Sequence, residues 1–169
     1  MMKKMKPIAI LFISLITLFS SCSKSYDQLK EGVYADIETS KGNMIVKLEY
    51  KKVPNTVANF INKSKSNYYK NLTFHRVEDW VVQGGDPEGN GTGGSQMLAE
   101  QSSKPFTEGS LGIARGSDPR INNDSQFFFT KKDADWLNGQ YTNFGIVTSG
   151  MSVVNSIKIG DKILGITIQ

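Results

Sequence analysis

Val33 to Tyr50 reads VYADIETSKGNMIVKLEY, and the spacing of its apolar residues decides the fold class. Val33, Ala35 and Ile37 alternate with Tyr34, Asp36 and Glu38. After the turn residues Ser40 to Asn43 the alternation resumes, with Met44, Val46 and Leu48 set against Ile45, Lys47 and Glu49. A period of two puts every second side chain on one face of an extended strand, so the stretch is predicted as a β-hairpin with one buried face.

Downstream, short apolar runs of the same kind recur at Leu72–Val77, Trp80–Gln83, Leu111–Arg115, Gln126–Thr130, Phe144–Val147 and Ile163–Ile168. Turn-rich segments separate them, the longest from Gly85 to Gly109. Two helices interrupt the pattern. Pro54-Asn55-Thr56 supplies helix-start chemistry, and Val57, Phe60, Ile61 and Ser64 then share one face. A second, shorter helix is predicted over Met151–Ile157, with Val153, Val154 and Ile157 apolar. Eight strand candidates and two helices in a chain of 169 residues favour an all-β domain with two helices: a closed eight-stranded antiparallel barrel capped by the helices. Closure removes the exposed edges that a sandwich would leave, and a sandwich has no natural place for the helices.

Upstream lies a segment of another kind. Lys3, Lys4 and Lys6 precede Ile8 to Phe19, which is apolar apart from Ser14 and Thr17, and small residues Ser20 and Ser21 lead to Cys22. The apolar run falls short of the roughly 20 residues that span a bilayer, and the order of basic, apolar and small residues is that of a cleaved export signal. Cys22, the only cysteine of the chain, stands where cleavage would expose it, and FSSC resembles a bacterial lipobox with Phe19 in place of leucine. The expectation is a lipoprotein signal peptide over 1–21, a tether over 22–30 anchored to a membrane by lipid on Cys22, and one domain over 31–169. Ser23 is not an inner-membrane retention aspartate, which by analogy points to a periplasm-facing outer-membrane location. Three of the twenty basic residues leave with the signal, so the remaining chain carries seventeen against sixteen acidic ones. Those basic residues are scattered, which argues against a nucleic-acid partner.

One stretch asks for a function. Phe74 to Gly94 reads FHRVEDWVVQGGDPEGNGTGG, placing the single histidine beside an arginine and running into a glycine-rich segment. Gly89 to Gly94 matches G-x-G-x-x-G, but Asp86-Pro87-Glu88 separates it from the strand, where phosphates would meet carboxylates, and no good helix follows. A metal site would need more ligands than one histidine and one cysteine supply. Nucleophilic hydrolysis would need a G-x-S-x-G elbow, which the sequence lacks. His75 alone reads first as a structural histidine, and Arg76 is left without an assignment.

LTFHRV, QGGDP, GTGG, GIAR, SQFFF, WLNGQYTNFG and VTSGMSVVNSI occur in the order and near the spacing of the cyclophilin-type peptidyl-prolyl isomerases, and the resemblance runs from about Ala35 to Ile168. It implies an eight-stranded β-barrel with two helices, catalysis of cis/trans exchange at X-Pro bonds, and a glycine segment that borders the substrate groove. It further implies Arg76 as the donor to the proline nitrogen, Gln83 as its holder and His75 at the site edge. Trp80, Val81 and Phe128 would clamp the pyrrolidine ring, with Leu137 and Tyr141 completing the wall. Ala114, Arg115 and Gln126 would meet the backbone before proline, and Trp136 would line the groove nearby. The chain departs from the family in a span from Arg76 to Gln83 one residue shorter than usual, in Trp80 for phenylalanine, in Val81 for methionine, and in Tyr141 and Arg115 for the frequent histidine and asparagine.

The resulting expectation is an isomerase acting as a monomer on proline-containing exported polypeptides, with no cofactor and no metal. The alternative keeps the groove and weakens the catalysis, leaving a chaperone-like module that binds proline peptides.

Overall fold

The computed structural model describes residues 32–169. The expected signal peptide, Cys22 and the tether lie outside the described residues. The hairpin forms as its alternation requires: β1 (Val33–Thr39) pairs antiparallel with β2 (Gly42–Leu48), and Ala35, Ile37, Met44, Val46 and Leu48 are buried. Seven further strands follow: β3 (Arg76–Val77), β4 (Val81–Gly84), β5 (Gln96–Leu98), β6 (Ser110–Arg115), β7 (Ile121–Thr130), β8 (Asn143–Ser149) and β9 (Ile163–Ile168). They make one curled antiparallel sheet in the order β3-β4-β7-β6-β8-β2-β1-β9, with β5 added on β7.

Eight strands follow one path, as expected, and among the described residues a short ninth, β5, is added where Gln96–Leu98 pairs with Ile121–Asn123 inside what reads as a long loop. One expectation is corrected. The barrel is not fully closed by a ladder. The chain just before each end strand meets at a single bridge, Thr73 to Lys162, flanked by Phe74 N–H donating to Asp161 O at 2.9 Å and Ile163 N–H donating to Leu72 O at 2.9 Å. The predicted strand Leu72–Val77 shrinks to Arg76–Val77 because Asn71, at φ 69°, turns the chain just before it.

Helix α1 (Pro54–Lys65) starts at the predicted proline and packs Val57, Phe60 and Ser64 inward. Phe60 sits at the centre of an aromatic cluster, with ring centroids 5.3 Å from Tyr69, 5.6 Å from Phe127 and 5.4 Å from Phe144. Helix α2 (Met151–Ser156) buries Val154. A 3-10 turn at Asp135–Leu137 lies against the other side of the sheet.

The α1 N-terminus has no cap from its own sequence, since Val53 occupies the cap position. Glu100 supplies one from the long connection. Its Oε2 accepts from Thr56 N–H at 2.6 Å and Thr56 Oγ1 at 2.7 Å, and its Oε1 accepts from Asn55 N–H at 3.1 Å and Asn55 Nδ2 at 2.9 Å. A carboxylate there satisfies orphan donors and faces the positive end of the helix dipole. Burial pushes the Glu100 carboxyl up, but the bonds from Thr56 and Asn55 outweigh it and hold the group below its ordinary value. A depressed folded value means a stabilisation complete above the ordinary glutamate range and lost as pH falls through the folded value. Glu100→Gln should therefore unfold about 1–2 kcal/mol more easily at neutral pH. In urea titrations the gap to wild type should narrow under acid conditions; a gap independent of pH would contradict the capping charge.

Candidate functional site

The site grows from one row of residues across four strands. Arg76 on β3 lies opposite Gln83 on β4, Gln83 opposite Phe128 on β7, and Phe128 opposite Gly112 on β6. Directly paired residues share a face of the sheet. The neighbouring row, Val82, Phe129 and Leu111, belongs to the barrel core, so the Arg76 row is turned outward. Phe127 and Phe129 point into the core, and Phe128 joins a second cluster with Val81, Phe106, Ala134 and Leu137.

Gly112 is what allows Phe128 to lie down. A Cβ added there would overlap the Phe128 ring and come within 2.8 Å of Phe106 Cε1. Phe106 stacks on Phe128 with centroids 5.7 Å apart at 17°, and Tyr141 meets it edge-on at 5.8 Å. Above this floor is a cavity of about 370 Å³, lined by Val81, Leu137, Trp80, Ala114 and Tyr141, with His75, Arg76, Gln83 and Arg115 as its polar members. Asn90 and Gly91 of the glycine-rich segment form one edge.

Arg76 is held by two partners. Nε donates to Glu78 Oε1 at 2.7 Å and Nη1 donates to Gln83 Oε1 at 3.2 Å. Among the described residues Nη2 donates to no protein atom. Gln83 Nε2 donates to Gln126 Oε1 at 3.0 Å, and Gln126 Nε2 donates to the carbonyls of Gly91 at 3.1 Å and Gly93 at 2.8 Å. The loop that carries those carbonyls folds around Asp86, a buried carboxylate that accepts the N–H groups of Glu88, Asn90 and Gly91. Burial pushes the Asp86 carboxyl up, and the three N–H bonds bring it below its ordinary value. The glycine-rich segment thus cradles a carboxylate of its own chain, which leaves its donors unavailable to a phosphate.

Burial lowers the His75 imidazole below its ordinary value, with Arg76 adding to the effect and Asp86 opposing it. Arg115 is stacked over Tyr141, its Cζ 4.4 Å from the ring centroid, and donates through Nε to Gln140 O at 2.9 Å. It stands between the apolar cavity and a neighbouring polar one of about 560 Å³, which Gln126 lines. Gln126 is nearly buried, and its amide is spent on the groups just described. Trp136 does not line the apolar cavity; it is 57% exposed and meets Trp80 edge-on at 5.4 Å. Sequence reasoning missed Asp86, Phe106 and Gly112. Asp86 and Gly112 lie within QGGDP and GIAR, but only the contacts show what they do.

An antiparallel half-barrel with an aromatic-floored cleft on its outer face, and Arg76 held at the cleft edge by Glu78 and Gln83, is the arrangement of a class of proline-peptide isomerases. The family described as cyclophilin type peptidyl-prolyl cis-trans isomerase/CLD matches residues 34–165. A peptidyl-prolyl cis-trans isomerase of Helicobacter pylori is 40% identical over 144 residues, covering 81% of this chain and 87% of the relative. The human peptidyl-prolyl cis-trans isomerase-like 1 is 35% identical over 128 residues, covering 72% and 76%. A Cryptosporidium parvum cyclophilin type isomerase, solved in the presence of the dipeptide Ala-Pro, superposes with a TM-score of 0.75 at 29% identity, over 80% of this chain and 98% of that one. The chain belongs to the cyclophilin-type peptidyl-prolyl cis-trans isomerases, enzymes that accelerate rotation about X-Pro bonds.

Gly112→Ala should tilt Phe128 out of its resting place and fill the cleft from below. In an NMR titration with an Ala-Pro peptide, affinity should fall about tenfold, with a stability loss of about 1–3 kcal/mol from overpacking. Unchanged affinity in a folded variant would contradict the role given to the floor.

Proposed function

We propose that Arg76 is the catalytic donor of this isomerase, acting on the imide nitrogen of a client whose pyrrolidine ring rests on Phe128. The observation that carries the reading is the Arg76 Nη2, without a partner among the described residues, beside a cavity floored by the Phe128 ring.

Amide resonance sets a rotation barrier of about 18–20 kcal/mol, and uncatalysed exchange at X-Pro takes tens of seconds or longer. As the bond twists, resonance is lost and the nitrogen lone pair becomes an acceptor. A donor placed there stabilises the twisted state and has nothing to bind in either planar one, which is the requirement for lowering the barrier. Guanidinium suits the task because it stays charged and its donors are fixed in one plane. The residues Val81, Trp80, Leu137 and Tyr141 hold the ring while the preceding carbonyl swings. Ala114 and Arg115 receive the stretch before proline. Gln83 and Gln126 hold the donor from behind, and His75 closes one edge.

Arg76→Ala should lower catalysed exchange of a short proline peptide by at least about tenfold, the scale of one lost transition-state hydrogen bond, while the thermal midpoint stays near wild type. Exchange at the wild-type rate would refute the donor.

The setting proposed with this activity is the folding of exported proteins, by a domain tethered through lipid on Cys22 to a periplasm-facing membrane surface, the outer membrane favoured. Its support is the order of lysines, apolar run, small residues and cysteine at positions 3 to 22. Each buried acyl CH₂ contributes about 0.8 kcal/mol, so more than one chain would hold the domain firmly. Cells fed radioactive palmitate should label the wild-type chain and not Cys22→Ala; label retained by the variant would rule the anchor out.

A further inference from the structure

Arg76 and Trp80 are joined by a side chain that the sequence does not single out. Glu78 sits in the shortened turn between β3 and β4. Its Oε1 accepts from Arg76 Nε at 2.7 Å, and its Oε2 accepts from the Trp80 indole Nε1 at 3.0 Å. The backbone beneath is fixed as well, because Glu78 N–H donates to Val81 O at 2.9 Å and Lys131 Nζ donates to Glu78 O at 3.2 Å. One carboxylate therefore spans the cation and the aromatic wall of the same cleft, with the Arg76 Cζ 5.4 Å from the Trp80 ring centroid.

Two fixed nitrogens define the plane of a guanidinium, whereas one leaves it free to pivot. Gln83 fixes Nη1, and Glu78 supplies the second point at Nε. The Arg76 and Glu78 side chains are 43% and 46% exposed, and a pair so exposed contributes little to stability. Two effects on catalysis then compete. The carboxylate weakens the positive field at Arg76, but solvent screens that loss at an exposed site. Orientation is not screened, and a small misplacement of a catalytic group is costly.

We infer that Glu78 is a positioning residue for isomerisation, holding the Arg76 guanidinium and the Trp80 indole as one unit so that Nη2 faces the imide nitrogen. The hydrogen bond from Arg76 keeps the Glu78 carboxyl below its ordinary value, so it is ionised at neutral pH. The role rests on Arg76 being the donor, and the test separates the two.

NMR exchange spectroscopy on an Ala-Pro peptide reports the catalysed rate and the affinity in one experiment, and the indole and arginine Nε signals report the geometry. Glu78→Ala should slow exchange about fivefold with affinity within about twofold, and should shift the Trp80 indole and Arg76 Nε signals together. Glu78→Gln, which keeps one acceptor oxygen, should fall between. Exchange at or above the wild-type rate in Glu78→Ala, with Arg76→Ala slow, would overturn the positioning role and leave the donor in place. A rate loss matched by an equal affinity loss would also overturn it, since Glu78 would then serve binding. If Arg76→Ala itself exchanged at the wild-type rate, the donor reading would fall first.

Discussion

Hydrogen bonds that begin in the glycine-rich loop across the cleft determine where the Arg76 guanidinium can be. Asp86 folds that loop by gathering the N–H groups of Glu88, Asn90 and Gly91, and the carbonyls of Gly91 and Gly93 are turned to Gln126. A carbonyl can only accept, so Gln126 must turn its amide nitrogen to those glycines and its oxygen to Gln83. Gln83 must then turn its own nitrogen to Gln126, which leaves its oxygen for a donor. An arginine meets that demand under all conditions. The chain of bonds is polarised from the loop to the cation, and flipping any one amide would leave two donors face to face.

The same strands serve stability and function on opposite faces. Phe127 and Phe129 belong to the cluster around Phe60, whereas Phe128 between them is the floor of the cleft. Alternation along β7 thus couples the site to the core: the ring that receives a client cannot shift without moving neighbours packed to crystal-like density. Gly112 gives this coupling its tightest point, since β6 can approach the Phe128 ring only where a side chain is missing.

Features that depend on local pattern were legible in the sequence. The hairpin at Val33–Leu48, the helix opening at Pro54 and the strand Ile163–Ile168 follow from apolar spacing and a proline, and the structure has them. The first half of β7, Ile121 to Ser125, is polar enough to read as a turn, and β5 is largely exposed, so neither carries an apolar signal. Arg76 and Gln83 could be read together only through resemblance, because their pairing depends on strand register. Glu100, Asp86, Glu78 and Gly112 act through partners that the spacing of apolar residues does not reveal. Glu100 reaches a helix 44 residues earlier in the chain, and Gly112 matters only because Phe128 lies over it.

The central claim is a spatial one, that the free edge of the Arg76 guanidinium meets the nitrogen about which a client bond rotates. A crystal structure of this chain with a bound Ala-Pro peptide measures it most directly. The account predicts the pyrrolidine ring against Phe128, with Nη2 of Arg76 facing the imide nitrogen and Nε and Nη1 still on Glu78 and Gln83. A peptide seated with its proline outside that cleft, or a guanidinium swung away from the imide by its carboxylate partner, would contradict it.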